Sequence, residues 1–497
     1  MSISDLGWPK HPKIYEINTW PWLNYLSEIY NTTITLQTIP EEIINRCSSL
    51  FDAIWLMGVW ERSPASKKIA LGHTGLQNEY HKALREFGDE DVVGSPYSIY
   101  YYHVDKHIGG IEGLIEVRQQ LSEREIRLLL DYVPNHVSID SLWTLESNLF
   151  IEGTIDDLMN YPEDYFSLSE RVYAHGRDPN FKGWTDTIQI NAFSKESRQK
   201  TISTLLKIAE HCDGVRCDMA MLMTNAVFKN TWGQKAGSIP DEEFWVEVIQ
   251  AVKKKFPYFL FIAEVYWDME WELQQQGFDY CYDKRLYDRL SHGDSQSIKA
   301  HLNADLDYQR KLVRFIENHD ELRASTNFEE SRNYASAIIV MTLPGARLIH
   351  EGQMKGYKIK LPVQLGRRQF EEENQDLLKF YSHLLQIIPG KDLENGDWSL
   401  CKANSIEFED ESFTNIISYL WWSDDIYRLT VVNFSSSLAK AHVAINQLNY
   451  GSWDWIFTDL ITRKVYNYNG VNLDKFGLYV KLPAWGGHIF DIRKKKI

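Results

Sequence analysis

The chain reads as an α/β fold: a (β/α)8 TIM barrel with a small insertion after strand three and a C-terminal antiparallel β-sandwich. Three observations carry this reading. Between residues 13 and 390, short apolar runs alternate with helical periodicities. Three of these runs end in a carboxylate: DGVRCDMAML (213–222) at Asp218, FLFIAEVYW (259–267) at Glu264 and VRFIENHDE (313–321) at Asp320. Beyond residue 397 the helical periods stop and short β-rich runs take over.

IYEIN (14–18) and FDAIWLMGVW (51–60) are the first two strands. A helix from Gly110 places Ile111, Leu114, Ile115 and Leu121 on one face. RLLLDYVPNH (127–136) is strand three and ends in His136. Residues 137–185 are too long for one helix and rich in Asp, Tyr, Trp, Gly and Pro. They predict an inserted, loop-rich subdomain, because long loops in compact enzymes tend to be functional. The barrel then covers 1–136 and 186–390. Ser194 is a candidate N-cap for a helix with Ile202, Leu205, Leu206 and Ala209 in register. DGVRCD is strand four, Trp245, Val248, Ile249 and Val252 mark the next helix, and FLFIAEV is strand five. FDYCYD (278–283), LVRFIE (312–317) and ARLIHE (346–351) supply strands six to eight. The helix DLLKFYSHLLQII (376–388) gives way to a turn-rich linker, PGKDLENGD (389–397). NIISYLWW (415–422), YRLTVVNF (427–434), WDWIFTDL (453–460) and LYVKL (478–482) build the sandwich at 391–497. The basic tail Arg493–Lys496 reads as solvated.

At 497 residues the chain exceeds one ordinary core. With 53 Lys+Arg against 69 Asp+Glu its net charge is -16, which argues against nucleic acid or an anionic membrane as partner. The N-terminus shows no basic start followed by an apolar core, and no stretch approaches a membrane span. Cysteines at 47, 212, 217, 281 and 401 have the spacing of neither a disulfide framework nor a zinc site. Together these predict a soluble, cytoplasmic protein; no pattern speaks to its oligomeric state.

Carboxylates at the ends of buried strands are costly without partners. Three of them on successive strands point to one shared pocket, suited to acid/base and nucleophilic work on a glycosidic bond. Arg216, two residues before Asp218, shares its strand face and would keep it ionised. Cys217 points to the other face and reads as a packing thiol.

The segments DYVPNH, GVRCD, AEVYW and FIENHDE resemble, in order, the four short conserved regions of the α-amylase superfamily, glycoside hydrolase family 13. GSPYSIYYYHVDKHIGG (94–110), TDTIQIN (185–191) and PGARLIHEGQ (344–353) add to the likeness, which covers nearly the whole chain. The resemblance implies roles. Asp218 matches the nucleophile, Glu264 the general acid/base with a raised pKa, and Asp320 the carboxylate that stabilises the transition state. His136 and His319 match histidines that bond the sugar, Tyr97 a ring beneath it, and Asp131 a supporting carboxylate. Asn135 matches a residue that binds calcium in many relatives; an ordinary turn amide is the competing reading. Asp186, Gln189 and Trp184 are candidates for the cleft wall or simply for loop structure. The chain departs from the family at Met221 and Leu222, where many members carry a basic residue and then histidine, and at Tyr101, where Asp is common.

The implied activity is that of a retaining α-glycoside hydrolase on soluble α-glucan or α-linked oligosaccharides, through a covalent glycosyl-enzyme. Transglycosylation with the same residues is the alternative, kept open by the apolar pair at 221 and 222. A non-catalytic carbohydrate-binding protein is the third reading. No cofactor is required, and Ca2+ is an optional ligand.

Overall fold

The computed structural model describes residues 7–495; the first six residues of the stretch read for a leader, and Lys496 of the basic tail, lie outside them. Eight parallel strands close into a barrel: β1 (Lys13–Asn18), β2 (Ala53–Met57), β3 (Arg127–Tyr132), β4 (Gly214–Cys217), β5 (Leu260–Ala263), β6 (Tyr280–Tyr282), β7 (Leu312–Arg314) and β8 (Ala346–His350). Their order around the barrel is their order in the chain. Every residue of β2, β3, β4 and β5 is buried, as expected of strands covered on both faces. Among the described residues, no helix is long and apolar enough to cross a membrane. All five cysteines are free thiols, and Cys217 is fully buried.

The chain packs as two compact units. The first holds residues 7–8, Ile14–Tyr282 and Ile359–Phe370. Its second strand is shorter than the run 51–60, because Gly58 turns the chain at φ 75° and donates its N–H to Asp131 Oδ2 at 2.8 Å. Trp60–Arg62 then pairs with Ile99–Val104 as an antiparallel ribbon. The helix Gly110–Ser122 is rotated from its expected setting. It buries Gly113, Leu114, Val117 and Leu121, while Ile111 and Ile115 are 37% and 50% exposed. The cause is a close approach: a Cβ on Gly113 would stand 3.1 Å from Leu36 Cβ and 3.2 Å from Gln37 N, so the bare glycine face is the one that packs. Ser194 caps the helix Lys195–Ile208 by accepting from Ser197 N, and Trp245, Val248, Ile249 and Val252 are the buried face of Phe244–Lys255. The segment after β3 carries a three-stranded antiparallel sheet (Glu152–Gly153, Arg171–Ala174, Tyr165–Leu168). Beside it, Val137, Trp143, Leu149, Phe150, Ile188 and Ile190 form a small core of their own.

The second unit holds Pro9–Lys13, Asp283–Lys358 and residues 371–495. Its β-rich part is two antiparallel sheets, one of six strands and one of three, sharing a core that includes Leu429, Val431, Ala441, Val443, Val480 and Phe490. The linker is shorter than expected, since Asp397–Leu400 already pairs with Ile416–Ser423. The described residues of the basic tail, 493–495, are exposed. Arg493 and Lys494 belong to the strand Gly487–Lys494, Arg493 meets Asp491 at 2.6 Å, and Lys494 Nζ lies 3.8 Å from the Trp453 ring.

Asp283 is a buried, multiply bonded carboxylate of this unit. It accepts from Leu286 N at 3.1 Å, capping Lys284–His292, lies 2.9 Å from His301 Nε2, and pairs with the fully buried Arg314. Burial alone would raise its pKa; His301, Arg314 and the Leu286 N–H outweigh it and hold it at about 2. A carboxyl depressed in the folded state stabilises the fold above its unfolded value, about 3.9, and loses that contribution as pH falls toward its folded value. Urea-unfolding stability should therefore drop between about pH 4 and about pH 2, and the drop should be shallower in Asp283→Asn.

Candidate active site

β4 ends at Cys217 and its parallel neighbour β5 at Ala263, so Asp218 and Glu264 emerge side by side at the carboxyl ends of adjacent strands. Arg216 lies 2.7 Å from Asp218 Oδ1 through Nη1 and 2.8 Å from Glu264 Oε2 through Nη2. All three are withdrawn from water: Asp218 is 7% exposed, Glu264 3% and Arg216 1%. The rings of Trp55, Tyr97 and Tyr282 surround the guanidinium carbon at 5.5, 5.1 and 5.8 Å. Burial opposes the arginine charge, but Glu264, Tyr97, Tyr282 and Asp218 outweigh it and hold its pKa well above the usual value. The cation is therefore permanent, and its planar fork suits two carboxylates at once.

Asp131 stands level with Arg216 on β3. It accepts from Trp55 Nε1 at 3.2 Å and Gly58 N at 2.8 Å, and its carbonyl accepts from Trp60 Nε1 at 2.8 Å. It thus fixes the indole that faces the guanidinium, and its carboxylate is engaged by protein donors.

Glu264 is held at both oxygens. Oε2 also accepts from Met219 N at 2.7 Å, and Oε1 accepts from the Tyr266 hydroxyl at 2.9 Å. Met219 has left-handed backbone at φ 41°, ψ 46°, a conformation that costs a non-glycine residue about 1 kcal/mol or more and persists where its surroundings enforce it. Here the enforcing bonds include its own N–H to Glu264 and Ala220 N to Glu264 O at 2.9 Å. Burial favours the protonated acid, whereas the guanidinium and the Met219 N–H favour the carboxylate.

His136 is buried with its ring 5.1 Å from Trp184. Burial lowers its pKa; Asp218 and Asp186 pull the other way without cancelling the effect, so the imidazole is neutral. Asn135 is a structural amide: Gln189 Nε2 donates to its Oδ1 and to its backbone carbonyl, both at 2.9 Å. Gln189 is fully buried, and the half-buried Asp186 accepts from Ser66 Oγ at 2.6 Å. Among the described residues no three His, Cys, Asp or Glu side chains gather as metal donors. Gln189 Nε2 takes one of the two lone pairs of the Asn135 carboxamide oxygen.

In the second unit, β7 stops at Arg314, so Asp320 is not at a strand end. It stands on a turn, where Asn318 Oδ1 accepts from Asp320 N and Glu321 N, each at 2.9 Å. His319 Nε2 lies 2.9 Å from Asp320 Oδ2; the histidine side chain is fully buried and the aspartate side chain 40% exposed. Below the turn, the fully buried Glu317 takes Arg323 Nη1 at 2.5 Å, His350 Nδ1 at 2.9 Å and Ala324 N at 2.7 Å.

The catalytic domain of the alpha-amylase family matches residues 51–380. The chain belongs to the α-amylase family. A curated member, the alpha-amylase MalA of Haloarcula japonica, is 24% identical over 325 residues, 63% of this chain and 43% of that protein. Alpha-amylase 3 of Dictyoglomus thermophilum is 21% identical over 307 residues, and the match covers 58% of each chain. The chain thus spans about half the length of the curated relatives it matches. A noncanonic maltogenic alpha-amylase from Thermotoga neapolitana shares the fold, with a TM-score of 0.66 at 18% identity over 97% of this chain and 99% of that one.

Family resemblance pointed to Asp218, Glu264, Arg216, Tyr97, Asp131 and His136, which lie in the first unit, and to His319 and Asp320, which lie in the second. Sequence reading missed Trp55, Tyr282, Tyr266 and Met219. Strand alternation was the available signal for the first two, since aromatic residues inside a barrel meet whatever charge lies there. No spacing rule marks Tyr266 or the left-handed Met219. Met221 and Leu222 are buried in the turn Ala220–Met223 and present no surface to a ligand.

Arg216→Met should leave two buried carboxylates without their cation. Burial and mutual repulsion then raise their pKa values, and acids raised in the folded state lose stabilising effect as pH rises. The variant's urea-unfolding stability should fall as pH rises above the ordinary carboxylate range, about 4, more steeply than the parent's.

Proposed function

We propose that the protein is a retaining α-glycoside hydrolase acting on soluble α-glucan or α-linked oligosaccharides. The observation that carries the reading is one guanidinium joining Asp218 and Glu264 at 2.7 and 2.8 Å. A retaining pair works at a carboxyl separation of about 5–5.5 Å, and a shared fork favours that short spacing over the wider gap of an inverting pair. The named activities of its relatives, an alpha-amylase and a maltogenic alpha-amylase, agree with an α-glucan substrate.

In the first step Asp218 attacks the anomeric carbon, the glycosidic bond breaks, and the Glu264 proton passes to the departing oxygen. The Arg216 guanidinium, 2.7 Å from Asp218 Oδ1, holds the nucleophile in place for this attack. In the second step Glu264, now a carboxylate, takes a proton from water as that water attacks the same carbon and frees Asp218. In the first unit the neutral His136 would bond the sugar; in the second unit the family resemblance gives Asp320 and His319 hydroxyl-binding roles. Hydrolysis is preferred over transfer to a second sugar, because the apolar pair that suggested a dry acceptor side is buried.

Two measurements test this. Glu264→Gln should cut turnover of maltooligosaccharides by about 10²–10⁴ while sparing glycosides with activated leaving groups, which need no proton. Equal loss on both would remove Glu264 as the acid. The first sugar released by the parent enzyme should be the α-anomer by NMR, with only shorter oligosaccharides in the chromatogram. A β-anomer would end the retaining mechanism, and products longer than the starting sugar would make the enzyme a transglycosylase.

A further inference from the structure

The two oxygens of Glu264 are not equivalent. Oε2 accepts from Met219 N at 2.7 Å and lies 2.8 Å from Arg216 Nη2 as an ion-pair partner. A guanidinium and a backbone amide offer no acceptor, so a proton on Oε2 would face a cation and an N–H with nowhere to donate. Oε1 accepts from the Tyr266 hydroxyl at 2.9 Å, and a hydroxyl both donates and accepts. From this asymmetry we infer that Oε1 is the proton-bearing atom of the acid and that Tyr266 is a positioning residue that promotes the proton's departure. The inference rests on the reading of Glu264 as general acid.

The electronic argument is simple. The oxygen of a neutral carboxyl O–H is a poor acceptor, and a carboxylate oxygen is a strong one. As the Oε1–H bond breaks and the proton bonds to the departing glycosidic oxygen, the electron pair of that O–H bond stays on Oε1. The Tyr266 O–H donates to the charge growing there, so its hydrogen bond strengthens toward the transition state. In the second step the same bond weakens as Oε1 takes a proton from water. Tyr266 therefore touches neither sugar nor water in this role and acts only through Glu264. Two consecutive left-handed, non-glycine residues follow it, Trp267 at φ 61° and Asp268 at φ 63°, so the loop holding the phenol is bent sharply just past the ring.

Tyr266→Phe removes the hydroxyl and keeps the ring. On maltooligosaccharides kcat/KM should fall roughly tenfold to a hundredfold. On an aryl α-glucoside with an activated leaving group it should change less than about threefold, because no proton transfer is needed. Equal losses on both substrates, whether from misfolding or a general structural role, would overturn the inference, and so would no loss on either. The parent reading fails separately: if Glu264→Gln shows no such leaving-group split, Glu264 is not the acid, whatever Tyr266→Phe does.

Discussion

A buried arginine between two buried carboxylates is the arrangement on which the rest of the first unit turns. Taking Arg216 out of water costs several kcal/mol, and its two partners cost as much again. The charges compensate one another only because the fork reaches both acids and three aromatic rings close around it. That requirement reaches outward. Asp131 must hold Trp55, Gly58 must turn to hold Asp131, and Met219 must accept an unfavourable backbone conformation to place its amide on Glu264. Each of these bonds has a structural description, yet together they determine where the two carboxylates, Asp218 and Glu264, stand.

The second unit solves a similar problem differently. Glu317 is as deeply buried as the acids of the first unit, but it is saturated by Arg323, His350 and a backbone amide and has no chemistry left to perform. Its service is to anchor the turn above it, where Asn318 fixes the backbone of Asp320. Burial of a carboxylate therefore does not by itself mark an active group. The distinction lies in whether an oxygen retains a partner that can exchange roles, as Tyr266 can with Glu264.

Legibility from sequence followed the strength of local signals. The ends of β4 and β5 were readable because each apolar run stops at its carboxylate, and Ser194 was readable as a cap because its hydroxyl serves the helix directly. Asp320 was misplaced because FIEN continues an apolar rhythm that the backbone abandons at Arg314, a choice made by Asn318 and Glu317 rather than by hydropathy. Ile111 and Ile115 follow a helical period, but the bare surface of Gly113 offered a closer contact to residues 36–37 and turned the helix. Arg493 and Lys494 read as the start of a solvated tail; they are exposed, but they also end the strand Gly487–Lys494, and one lysine lies against an indole. In each miss a tertiary contact overrode a one-dimensional pattern.

The differing exposure of the carboxylates has a further consequence. Asp218 and Glu264 shed their hydration when the chain folds, so that cost is drawn from conformational stability. Asp320 keeps much of its water. Any ligand that covers it must strip that shell at the moment of docking, and the penalty enters the affinity instead. A ligand able to replace those waters with hydroxyl groups of its own offsets the penalty, and an apolar ligand of the same shape does not. A hydroxyl-rich ligand would thus meet a smaller penalty at the turn at residue 320 than an apolar one would.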